Sequence, residues 1–155
     1  MATNNALNVQ GPTPAFSVNF STATNKTGDG TVYKLTGPAS YDLLSSWQTD
    51  HFVAPIHGIY TFGGLMRVTG VAADQTQYLL FASVALHAGG NRQYDLFNWQ
   101  FSSLPYTVLA QPFCKDIEMQ AGDSISFSLA VYGVSKTITI TYGTSYMNGR
   151  LCFAI

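Results

Sequence analysis

The chain's 155 residues make one domain, large enough to bury roughly 68–70% of the surface its unfolded form exposes. Only 10% of them are charged against a usual ~25%, while 46% are hydrophobic and 14% aromatic, so an isolated copy is short of polar surface and packing against identical copies is expected. The net charge is −1, and Lys26, Lys34, Arg67, Arg92, Lys115, Lys136 and Arg150 form no run or stripe, which excludes a nucleic-acid partner.

The opening, MATNNALNVQGPTPAF, lacks the basic start and apolar core of a signal peptide. No stretch approaches the ~18 continuous apolar residues of a membrane helix. The expectation is a soluble chain that inserts in no membrane and enters no secretory route by itself. Residues 1–14, small, polar and proline-containing, are expected to form an arm ahead of a single head domain over 15–155.

From residue 15 onward the period is two. Phe16, Val18 and Phe20 alternate with Ser17 and Asn19, the pattern of a half-buried strand. In FVAPIHGIYTFGG (52–64), Tyr60 and Phe62 alternate likewise and are expected in the core. Pro55 and Gly58 mark a corner before that strand, where a missing N–H donor and a permissive φ cost little. Gly63-Gly64 fit either a bulge or the close approach of another backbone or subunit. YLLFASVALHAGG (78–90) is apolar enough for a central strand covered on both faces. YDLFNWQF (94–101) carries aromatics suited to core or interface packing, or else to stacking on sugars. Ile125, Phe127, Leu129 and Val131 alternate with Ser124, Ser126, Ser128 and Ala130, and Ile138, Ile140 and Tyr142 with three threonines. Turn residues punctuate the runs at Gly28-Asp29-Gly30, Gly37-Pro38, Gly89-Gly90-Asn91, Gly122-Asp123 and Asn148-Gly149. No segment holds a helical period over three turns. The class is all-β, about eight to ten strands in a sandwich or jelly roll.

No constellation for catalysis stands out, so the chain is not expected to be an enzyme. Asp50-His51 invites a dyad, but neighbouring strand residues point to opposite faces, and no Gly-x-Ser-x-Gly elbow supplies a nucleophile. His57 lies in a turn and His87 ends a strand. TGDGT (27–31) resembles part of a calcium loop without its alternating oxygen ligands or terminal glutamate, so no metal and no cofactor is expected. Asn19 and Asn25 begin formal glycosylation acceptors that suit chance in a Ser/Thr/Asn-rich chain. Cys114 and Cys152 lack metal spacing. A bridge between them is one possibility; their apolar settings favour buried free thiols.

Four pieces in chain order carry a family likeness. YDLLSSWQTDHFVAPIHGIYTFGGLMRV (41–68) resembles the signature of the complement 1q and tumour necrosis factor superfamily, with matches at Tyr41, Asp42, Phe52, Ala54, Pro55, Gly58, Tyr60 and Phe62. AFSV (15–18) resembles the family's first strand. MQAGDSISFSL (119–129) resembles its acidic turn, matching at Gly122 and Asp123, and YMNGRLCFAI (146–155) its closing strand, matching at Tyr146 and Gly149. The resemblance implies a ten-strand jelly roll that assembles as a homotrimer and works as a binding module. The collagen-like stalk of the secreted members is missing. MATNNALN instead resembles the N-termini of bacteriophage fibre and tail-associated proteins. That likeness implies a virion protein made in a bacterial cytoplasm, either a capsid decoration or a fibre or receptor-binding head, docked on capsid or tail proteins through its arm. The alternative is a soluble, extracellular head that recognises a host-surface glycan or protein.

Overall fold

The computed structural model describes residues 13–71, 75–100, 108–140 and 144–155. The expected arm lies, apart from Thr13 and Pro14, outside the described residues, as do Phe101 and Tyr142. The described residues form strands and turns without a helix. In chain order the strands are β1 (Ala15–Asn19), β2 (Ala23–Gly28), β3 (Val32–Lys34), β4 (Ala39–Asp42), β5 (His51–Val53) and β6 (Gly58–Thr69). There follow β7 (Gln77–Ala85), β8 (Asn91–Gln100), β9 (Val108–Met119), β10 (Ser124–Tyr132), β11 (Val134–Ile140) and β12 (Tyr146–Ala154).

These twelve strands make two antiparallel sheets, one of seven strands and one of five. In the larger sheet, β9 runs along the whole of β6, while β12 and β11 share the other side of β6 end to end. Next to β12 come β1 and then β4, and β2 extends the sheet from β11. The smaller sheet runs β8-β7-β10, with β3 and β5 end to end along the free side of β10. Twelve strands stand where ten are expected because the early chain is broken into short pieces. Gly30, at φ +90°, turns β2 into β3, and Pro38, with no N–H to give, separates β3 from β4.

Alternation puts one set of side chains between the sheets. Phe16 and Val18 from β1, Tyr60, Phe62, Met66 and Val68 from β6, and Ile125, Phe127, Leu129 and Val131 from β10 are all buried. At the centre is an aromatic cluster spanning both sheets. Phe16 stacks on Trp47 and Phe52 with ring centroids 5.3 and 5.0 Å apart, and Phe62 meets Phe52 at 5.8 Å and Phe127 at 5.6 Å. Such pairs contribute about 0.5–1.5 kcal/mol each beyond their buried area. β7 is central, between β10 and β8, but only its inner face meets the other sheet. On its outer face Phe81 is buried, while Leu79 and Ser83 remain partly open, so the expected two-sided covering is incomplete.

Candidate functional site

The residues that carry the family likeness divide into packing and surface roles. Phe52, Tyr60 and Phe62 belong to the central aromatic cluster, and the Tyr60 hydroxyl donates to the Ile56 carbonyl at 2.7 Å across the corner that Pro55 occupies. Burial raises the pKa of that phenol. Gly58 is the first residue of β6, and its φ is not positive; a side chain there would strike the Phe153 carbonyl on β12. Close approach, rather than a permissive φ, requires glycine at this position. Gly149 leaves its space to the ring of Phe16, its cross-strand partner. Gly64 sits against the Tyr146 carbonyl in an unbroken ladder, so Gly63-Gly64 mark a close approach and not a bulge. Asp42 accepts a hydrogen bond from the Trp47 backbone N–H at 2.7 Å. Asp123 is buried and binds two loops at once, accepting from the His87 N–H at 2.8 Å and the Gln120 N–H at 2.9 Å. Gly122, at φ +88°, turns the chain between them.

Tyr41 and Tyr146, by contrast, point outward from the larger sheet and are 48% and 39% exposed. Val108 and Phe153 are exposed on the same face, and Ile59 and Leu65 of β6 are partly so. Between Tyr41 and Arg150 the small residues Ala15, Gly63 and Gly149 leave a hollow of about 420 Å³. Cys114 and Cys152 also open onto this face; both are free and exposed, which corrects the expectation of buried thiols. They stand on β9 and β12, on opposite sides of β6. Two strand spacings, roughly 10 Å, exceed the Cα separation a disulfide can span, so no bridge joins them within one copy. Alternation explains the miss: Leu151 and Phe113, their apolar neighbours, point inward while the thiols point out.

The smaller sheet presents a different outer face. Three strand-to-strand pairings align Gln93, Ser83, Ser126 and His51 in a single row across β8, β7, β10 and β5. The next row places Asn91, Ala85 and Ser124 side by side. Short side chains on β7 and β10, flanked by longer ones on β3, β5 and β8, leave an open trough of about 530 Å³ with Lys34 and Arg92 on its rims. Lys34 donates to Asp50 at 2.7 Å, and Asp50 also meets His51 Nδ1 at 2.6 Å. Those bonds, Lys34's first, hold the Asp50 carboxyl below the usual aspartate value. The Asp50–His51 contact corrects the expectation that the two point apart. Asp50 lies in the bend before β5, following Thr49 at φ +68°, where strand alternation does not apply. Among the described residues no hydrogen bond joins His51 to Ser126, its cross-strand partner. The alternating serines of 124–128 were a visible sequence signal for this trough; Ser83 and Arg92 gave none.

Two further polar clusters are closed within themselves. Asp29 accepts from the Thr27 hydroxyl and from the Thr31 hydroxyl and N–H at 2.8, 2.6 and 3.1 Å. These bonds, all to Oδ1, lower its pKa and hold that oxygen inside a turn. His57 Nε2 meets Glu118 at 3.1 Å and Gln120 at 2.9 Å. Among the described residues no group of three or more His, Cys, Asp or Glu is placed to hold a metal ion.

Two sheets in this order define the jelly roll of the tumour necrosis factor and complement 1q globular domains. Murine APRIL superposes with a TM-score of 0.63 at 11% identity, over 90% of this chain and 99% of that one. The globular domain of zebrafish complement 1qA aligns with a TM-score of 0.52 at 16% identity, over 93% and 100%. Eiger TNF from S. frugiperda gives 0.59 at 9% identity, over 94% and 96%. Identities this low establish the fold alone. No protein-family model matches the sequence, and no curated protein matches it.

Proposed function

We propose that the chain is a homotrimeric, non-enzymatic head, a structural component of a bacteriophage virion that decorates the capsid or caps a fibre. Three copies pack the outer faces of their seven-stranded sheets together. The observation that carries the trimer is the outer face of the larger sheet, where Tyr41, Tyr146, Val108 and Phe153 are exposed, whereas on the smaller sheet Val32 is exposed beside a trough lined by serines and amides. A chain with 10% charged residues that exposes Tyr41, Tyr146 and Phe153 on one sheet, against Trp99 on the other, has a surface suited to its own kind. The jelly-roll likeness supports the same arrangement. The virion assignment rests on the likeness of residues 1–8 to phage N-termini, and docking is assigned to residues 1–14. Three arms on one trimer engage a symmetric site with the gain of avidity. Deleting residues 2–14 is expected to leave a folded trimer that no longer binds purified particles; undiminished binding by the shortened chain would remove the docking role. A second reading, a soluble extracellular recognition head, is favoured by the polar trough and predicts a ligand on glycan or cell-surface arrays.

A further inference from the structure

We propose that the trough on the five-stranded sheet is a binding site for a saccharide that carries a carboxylate. The proposal rests on the recognition part of the function above and not on the trimer. The floor supplies the hydroxyls of Ser83, Ser124 and Ser126, each able to donate and accept. No side-chain hydrogen bond within the described residues engages any of the three, so all three are available to a ligand. Gln93 on the wall adds an amide that can pair with neighbouring sugar hydroxyls through both its oxygen and its nitrogen. Serine and alanine at the outward positions of β7 and β10 are what make the surface concave. Its volume of about 530 Å³ lies within the ~300–1,000 Å³ of small-ligand sites.

Charge selects the acid. Lys34 on β3 and Arg92 on β8 are two of the chain's seven basic residues, and they line the trough from opposite edges of the sheet; that lining holds no carboxylate. Asp50, behind the rim, is already engaged by Lys34 and His51. Arg92 makes no ion pair among the described residues and is exposed. It is therefore the cation left for a carboxylate, which its planar fork can grip through two hydrogen bonds.

The test is calorimetric titration of the full chain with trigalacturonic acid, its methyl ester and inorganic phosphate, at low and high salt. The acid is expected to bind saturably, at least about tenfold more tightly than the uncharged ester, and to weaken with salt. Arg92→Gln should erase the difference between acid and ester, while Ser126→Ala should weaken both. No saturable binding of the acid, binding indifferent to both variants, or phosphate competing as well as the acid would each overturn the proposal. Sedimentation of the same samples keeps the two readings apart. Trimers that ignore the acid contradict only the saccharide site, and monomers that bind it contradict only the trimer.

Discussion

Phe62 touches Phe16, Tyr60, Phe52 and Phe127, so one ring joins both sheets. Removing it leaves a cavity in the buried aromatic cluster, and Phe62→Ala is expected to cost about 3–5 kcal/mol in denaturant unfolding. An effect below about 1 kcal/mol would contradict its central position. Tyr78 makes the opposite case. Its ring stacks on Phe97 at 5.0 Å, but its hydroxyl is buried with no hydrogen-bond partner among the described residues, and burial drives its pKa up. Tyr78→Phe removes an unsatisfied group without opening space, so it should leave stability unchanged or raise it by up to about 1 kcal/mol. A loss of more than that would reveal a partner for the hydroxyl. Residues such as Phe62 were legible because an aromatic in a period-two run has one place to go. Glycines 58, 63 and 64 were visible as oddities, yet their cause, the nearness of Phe153, Phe113 and Tyr146, is a property of strands far away in sequence.

At the scale of elements, the turn from β9 to β10 depends on one carboxylate. Each oxygen of Asp123 accepts a backbone N–H, one from the β7–β8 loop and one from its own turn. Asp123→Asn preserves the shape but turns one acceptor into a donor facing a donor. It should cost about 1–3 kcal/mol in thermal or chemical unfolding, and an unchanged stability would mean the two loops hold without it. Asp50 is a weaker case because it is partly open to solvent. Its folded pKa lies below 3.8, so its contribution is complete above that value and is lost as the pH falls below it. Asp50→Asn should therefore cost under about 1 kcal/mol at neutral pH. The difference from the parent should vanish in unfolding curves taken well below pH 3.8; a difference that persisted there would point to packing and not charge. The long strands β6, β7 and β10 were readable from alternation, whereas β3 and β5 are three residues each and too short to show a period. The Asp50–His51 contact escaped the sequence argument for a related reason: alternation ends at the first residue of β5, and the bend before it follows its own geometry.

For the whole molecule, the order of motifs from residue 15 to 155 was enough to anticipate two sheets and their jelly-roll connection. Which face would be apolar was not. Exposed positions are interleaved with buried ones along each strand, and their character emerges only when pairing lines up Tyr41, Gly63 and Cys114 in one row and sets Tyr146 beside Leu65. That face carries the central claim. It is tested most directly by the mass of the full chain in solution, measured by sedimentation equilibrium over a wide range of dilution. The expected particle has three times the mass of the 16.8 kDa chain and persists down to the lowest concentration measured. A particle of 16.8 kDa that keeps its native circular dichroism would contradict it.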